Sequence, residues 1–391
     1  MTDNSFVKKD LEAIKNQIVT RFVDYENIGV LSGFCGNAIF LFHYAKFLND
    51  NTVAVKAKEL IELSIDSLNK GYRNPSFCYG ICGFAWTLDY LNQNNFLDIN
   101  TDEYLLQLDS YLYNTMIKDF SKKNYDYLHN ALGYAFYFLK RYKNTEVESV
   151  KLQYKQTLIE TIALIDHISI KKSDGGIFWE SYMNYLDEHV IDLGLAHGIP
   201  SILIFYAELY KMDEFKNLVK DNMLKTLKFI LNCKSEDGNS FSLFPTYLFK
   251  DKNSAGGAKS RLAWCYGDLG IAVAVWKTAK ALNDGSLKEQ AIEIFKYNVN
   301  RKSGIEDMYI CHGSFGISQI YANIYRETDL LEFKECSKYW FKDGLKRFDE
   351  LQVHLNSESL SLIDGLSGVG LVLISHLTQE KLLWDESILL S

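Results

Sequence analysis

The sequence predicts an all-α fold, a closed α/α barrel of helix pairs, on three observations. A glycine turn recurs seven times, several copies lead into an apolar helical run, and only Pro75, Pro200 and Pro245 interrupt the chain as prolines.

The turn is Gly-x-x-Gly. It stands as Gly33-Phe34-Cys35-Gly36, Gly80-Ile81-Cys82-Gly83, Gly267-Asp268-Leu269-Gly270, Gly313-Ser314-Phe315-Gly316 and Gly365-Leu366-Ser367-Gly368. Degenerate copies, Asn130-Ala131-Leu132-Gly133 and Gly198-Ile199-Pro200-Ser201, fill the gap. The intervals between first positions are 47, 50, 68, 69, 46 and 52 residues. After the turns come runs such as Ile271-Ala272-Val273-Ala274-Val275-Trp276, apolar all round and therefore buried as helices. Between the turns lie amphipathic stretches such as Lys56–Ile65, apolar at helical spacing. Each unit thus reads as an outer helix, a glycine turn and an inner helix. Seven such pairs can close on themselves and bury every inner helix, which gives one domain over residues 1–391. Two intervals are long. In the first, 174–180 reads as a turn and a short strand. In the second, 237–258 reads as an irregular loop, and long loops in compact repeats are often functional.

Composition removes several function classes. A net charge of -8 argues against sequence-independent nucleic-acid binding, which needs a basic face. No segment approaches the roughly 20 apolar residues of a membrane span. The polar start Met1–Asp10 lacks a signal-peptide core, so a cytoplasmic location is expected. Seven cysteines spread through a chain in a reducing compartment favour thiols and metal ligation over disulfides.

Corresponding positions of a closed barrel lie at one height, so the residues before each turn form a ring at one mouth. Repeat five offers Cys265 there, and repeat six offers Cys311 and His312. Two thiolates and an imidazole make a zinc set with a fourth position open for chemistry. Either cysteine alone would read as a buried small hydrophobe. Paired at equivalent positions beside a histidine, they favour the metal. Cys78 stands in a similar Cys-Tyr-Gly, but repeat two is not a neighbour of repeats five and six, and it reads as packing. Repeat four offers His197, either a core histidine or an acid/base. Repeat three offers His129, with Asp126 a turn earlier as either a cap or a functional carboxylate. Repeat seven offers Asp364. Arg261, one turn before Cys265, either pairs with a surface acid or stabilises developing negative charge. Tyr266 reads as packing from sequence alone.

At these residues the sequence resembles the lanthionine synthetase C-like family, the cyclases of class I lanthipeptide biosynthesis. The resemblance rests on Ala196-His197-Gly198, Arg261-Leu262-Ala263-Trp264-Cys265-Tyr266-Gly267 and Cys311-His312-Gly313, and through the seven turns it covers essentially the whole chain. It implies an α/α toroid of seven inner and seven outer helices. It implies Zn2+ on Cys265, Cys311 and His312, with Asp126, His197, Arg261 and Tyr266 around it. The chain departs from the family at His129-Asn130, where a small residue and glycine are usual, and at Ser201 in place of the second glycine.

The activity so implied is addition of a peptide cysteine thiolate to dehydroalanine or dehydrobutyrine, forming (methyl)lanthionine rings in a dehydrated precursor peptide. His197 would protonate the α-carbon and titrate near neutrality, Arg261 would stabilise the enolate, and Asp126 would orient or tune the acid or help deprotonate the incoming thiol. Expected partners are that peptide, a dehydratase and a transporter, with peripheral membrane association through such a complex. The alternatives are a glutathione-linked family member adding a thiol to dehydrated residues of proteins, a scaffold with structural zinc, and an α/α-barrel glycosidase. A structural zinc normally has four protein ligands, and a glycosidase would leave the Cys-His set unexplained.

Overall fold

The computed structural model describes the chain except residues 1–3, 23–25, 184–185, 236–240, 250–254, 257–258, 306 and 358. It divides into two compact units, Met1–Leu112 with Glu306–Ser391, and Tyr113–Ile305.

Among the described residues, seven helices follow the seven turns: α2 (Phe34–Leu48), α4 (Ile81–Gln93), α7 (Ala131–Asn144), α9 (Ile199–Tyr210), α11 (Asp268–Leu282), α13 (Ser314–Thr328) and α15 (Leu366–Thr378). They are the inner set. In α2 every residue from Phe34 to Ala45 is buried, and in α4 every residue from Ile81 to Leu91. The outer set is α1 (Asn4–Arg21), α3 (Asn51–Asn69), α6 (Leu106–Ser121), α8 (Glu148–His167), α10 (Asp213–Asn232), α12 (Gly285–Asn298) and α14 (Leu331–Leu351), with a short α5 (Thr101–Tyr104) before α6. These bury one stripe: in α3, Val53, Ala57, Leu60, Ile61 and Ser64. The alternation of a fully apolar and a half-apolar helix is what the sequence carries, and it sorts the helices into two layers. Left-handed Asn49 and Asn283 stop α2 and α11, and Asp50 and Asp284 then cap α3 and α12 through their side chains.

The turns dictate their glycines sterically. A Cβ on Gly316 or Gly368 would lie 1.9 Å from the carbonyl oxygen of Ile310 or Leu362. That carbonyl belongs to the residue three before the turn, so the chain folds back on itself with no room for a side chain.

Neighbouring turns are tied together by backbone bonds at equivalent positions. In the first unit, the Leu31 and Ser32 N–H groups donate to Cys78 O at 3.2 and 3.0 Å. Those of Leu362 and Ile363 donate to Leu31 O, and those of Ile310 and Cys311 to Ile363 O. Repeats six, seven, one and two are therefore consecutive neighbours there, and α15 packs on α2, joining the last repeat to the first. In the second unit the Ala196 N–H donates to Cys265 O at 3.3 Å, linking repeats four and five in the same sense.

The long intervals hold strands, all in the second unit. The expected strand near 174–180 is β2 (Ile177–Phe178), paired antiparallel with β1 (Ile170–Lys171). A four-stranded sheet runs in the order β3 (Ser181–Met183), β4 (Glu188–Asp192), β5 (Tyr247–Phe249), β6 (Ala255–Gly256). The irregular loop expected over 237–258 is thereby corrected where it is described. Tyr247, Leu248 and Phe249 form a strand because β4 supplies an antiparallel partner, a long-range pairing that local pattern does not reveal. Residues 237–240, 250–254 and 257–258 of that stretch lie outside the described residues. No helix among the described residues is long and apolar enough to cross a membrane.

Candidate functional site

In the second unit the sheet delivers the key loop. Strand β4 ends at Asp192, and Leu193-Gly194-Leu195-Ala196-His197 follows into the turn before α9. The buried Asp192 carboxylate accepts the Gly194 N–H at 2.7 Å through Oδ1 and the Tyr266 hydroxyl at 3.0 Å through Oδ2. Gly194 is obligatory: a Cβ there would meet the Tyr266 ring at 2.6 Å and Cys265 O at 2.8 Å. Repeat five is thus seated directly on repeat four, with Tyr266 and Cys265 against the His197 loop.

His197 Nδ1 hydrogen-bonds Asp126 Oδ2, and Asp126 Oδ1 accepts the His129 N–H at 2.8 Å. The His197 ring lies between those of His129 and Tyr266, with centroids 5.9 and 5.8 Å away. Burial opposes charge on both partners of the pair, yet the ion pair wins. Burial alone would lower the His197 pKa, but Asp126, Asp192 and Cys265 carry it up to about 9. Burial would raise Asp126, but His197 and His129 hold it below the usual carboxylate range. The carboxylate thus favours the protonated form of His197, in the direction of a pKa above that of a free imidazole. Its Nδ1 is committed to Asp126, which leaves Nε2 as the ring's other proton-bearing position. Burial first, then the His197 charge, lowers His129, while burial raises Asp192 to about 6.

Cys265 is buried in the same unit, close enough to His197 to weigh on its protonation. Arg261 is exposed, six residues before Gly267, and its carbonyl oxygen would lie 1.9 Å from a Cβ on that glycine. Asp268, wholly buried, accepts the Leu243 and Phe244 N–H groups at 2.9 Å each and lies 3.9 Å from Arg301. It pins Leu243-Phe244, within the second long interval, to the head of α11, a structural task. Asp126, His129 and His197 also have donor atoms within 4.8 Å of one another. The Asp126–His197 hydrogen bond already engages that carboxylate.

In the first unit, Cys311 is partly buried and its N–H is held by Ile363 O. His312, next in the chain, donates from Nε2 to Asp307 Oδ2 at 2.8 Å, and its Nδ1 is 3.9 Å from Asp364 Oδ1. A soft thiol beside an imidazole with a carboxylate behind it suits a zinc ion, which takes sulfur and nitrogen ligands and histidines fixed by an acceptor on the far nitrogen. Asp192 and Asp307 are absent from the sequence reading. The signal that finds them is their common register six residues before Gly198 and Gly313.

The model of the family described as lanthionine synthetase C-like protein matches residues 25–389. The chain belongs to the lanthionine synthetase C-like family. Nisin biosynthesis protein NisC of Lactococcus lactis subsp. lactis is 24% identical over 364 residues, covering 90% of this chain and 85% of that protein. A solved structure of nisin cyclase aligns over 98% of this chain and 97% of its own with a TM-score of 0.81 at 20% identity. The expected fold class, all-α and an α/α toroid, is that of this lanthionine synthetase C-like relative. The seven inner and seven outer helices agree with it.

Proposed function

We propose that this chain, acting as one domain, is a zinc-dependent lanthipeptide cyclase that closes (methyl)lanthionine rings in a dehydrated precursor peptide. The observation that carries the reading is the Asp126–His197 hydrogen bond, a carboxylate that favours the protonated histidine beside the cysteine of repeat five. Kinship to a nisin cyclase supports it further. Cys265, Cys311 and His312 are the proposed zinc ligands. Zinc bound there would lower the pKa of a substrate thiol so that it reacts as thiolate at neutral pH.

The ring forms when that thiolate sulfur bonds to the β-carbon of a dehydrated residue, and the electron pair of the C=C bond moves onto the α-carbon and its carbonyl as an enolate. Protonated His197 gives its Nε2 proton to the α-carbon, and Asp126 stabilises the cation until transfer. Tyr266, fixed by Asp192, holds the His197 ring from one side, and Arg261 supplies positive charge toward the enolate oxygen. The bond adds nothing to the peptide's mass, because the thiol proton lost is balanced by the proton gained at carbon.

The test is incubation with a dehydrated, cysteine-containing precursor. Free thiol disappears while peptide mass stays constant. Undiminished thiol contradicts the proposal, and a mass gain of one glutathione per site would instead establish the glutathione-linked alternative. A cytoplasmic complex with a dehydratase and a transporter belongs to the same proposal, and co-purification of the three would support it.

A further inference from the structure

One register of the repeat carries information that the turn glycines do not. The residue six before each turn is Asn27, Asn74, Asn124, Asp192, Arg261, Asp307 and Ser359 in order. Its carbonyl closes the turn: Asn27 O accepts Phe34 N–H, Asn74 O accepts Ile81 N–H, and Asp307 O accepts Ser314 N–H. In four copies its side chain also accepts the N–H two residues on. The lengths are 3.0 Å from Ser76 to Asn74 Oδ1, 2.7 Å from Gly194 to Asp192 Oδ1, 2.8 Å from Tyr309 to Asp307 Oδ1, and 3.2 Å from Ser361 to Ser359 Oγ. This is an Asx-type turn, and one side-chain oxygen suffices for it.

Two copies have aspartate, and in both the surplus oxygen is used. Asp192 Oδ2 takes the Tyr266 hydroxyl, and Asp307 Oδ2 takes His312 Nε2. Asparagine could form the same turn but would present an NH2 donor where the second acceptor stands. The carboxylate is therefore demanded by the side chain it faces, and the turn explains only half of it.

We propose that Asp307 is a positioning residue for His312: its second oxygen holds the proton on Nε2 and so offers Nδ1 as the atom that binds a divalent metal. The metal part rests on the zinc reading above; the tautomer part does not. A histidine whose far nitrogen donates to a carboxylate is fixed in ring orientation and is a more basic ligand. Asp307→Asn keeps Oδ1 for Tyr309 and turns an N–H toward Nε2. That favours the tautomer with its proton on Nδ1, the wrong one for ligation.

Two readouts on the full-length protein test this. Zinc affinity, measured by competition with a chromophoric chelator, falls about 10–100-fold in Asp307→Asn, while its thermal midpoint without metal stays at the wild-type value. Nitrogen-15 NMR of the zinc-free protein shows His312 protonated on Nε2 in the wild type and on Nδ1 in Asp307→Asn. Asp307→Ala loses affinity too, but also lowers the midpoint because the turn bond goes with it. Wild-type zinc affinity in Asp307→Asn overturns the proposal, as does an unchanged His312 tautomer. If the wild-type protein takes up no zinc, the metal reading fails by itself, and the tautomer measurement still decides Asp307.

Discussion

Each unit holds a histidine hydrogen-bonded by a carboxylate, and the two grips are opposite. Asp126 takes Nδ1 of His197, whereas Asp307 takes Nε2 of His312. The first histidine is surrounded by Asp126, Asp192 and a cysteine, so charge accumulates in favour of the imidazolium, whose pKa climbs to about 9. The second is followed by a turn and preceded by a thiol, and its gripped nitrogen directs the other ring nitrogen away from Asp307. In the proposed function, the same two residue types would serve as a proton carrier in one place and a metal ligand in the other. What separates them is which ring nitrogen the nearer carboxylate holds.

The largest effect that can break this comparison is all-or-none. Cys311→Ala lowers zinc content, measured by metal analysis, from about one ion per chain to none, since two protein ligands are too few to hold the ion. Full zinc retention in that variant removes the ligand set. His197→Ala is the converse: zinc content stays, while ring closure on a dehydrated peptide slows by about 10²–10⁴-fold, the usual contribution of a positioned acid. Gly194→Ala is smaller and structural. Its Cβ must displace the Tyr266 ring and the Cys265 carbonyl, so unfolding measurements should show a loss of about 1–3 kcal/mol.

These predictions draw on residues that were unequally legible in the sequence. The helices could be read because burial on all faces and burial on one stripe leave different patterns, as in Phe34–Ala45 against Val53–Ser64. Cys265, Cys311, His312 and His197 could be read because the repeat sets them in one register. Strand Tyr247–Phe249 could not, because its reason for being a strand is β4, more than fifty residues earlier. Asp192 and Asp307 escaped for a subtler cause. Their register is visible, but aspartate and asparagine are interchangeable in an Asx turn, and only the side chain opposite shows why the carboxylate matters. The hydrogen bond of His197 to Asp126 escaped as well, since the two lie 71 positions apart and meet only in the folded chain.

The stability linkage of the His197 pair has a definite sign. A histidine raised from 6.5 to about 9 contributes stability that is fully present below pH 6.5 and is lost as pH rises through about 9. Asp126, held below its ordinary value of 3.8, contributes stability above that value that is lost as pH falls through its lowered pKa. The hydrogen bond between them, charged on both sides, is worth on the order of 1.5–3 kcal/mol. Thermal midpoints of the wild type should therefore decline between pH 7 and 10 by more than those of Asp126→Asn, whose histidine gains no such partner.

The central claim, that Asp126 keeps His197 as the cationic acid of ring closure, is tested most directly by the pH profile of the ring-closing rate. The wild type and Asp126→Asn should be compared at equal zinc content. The wild-type rate should hold through neutrality and fall on an alkaline limb near pH 9, and in Asp126→Asn that limb should move down toward pH 6.5. Coincident profiles for the two proteins would contradict it.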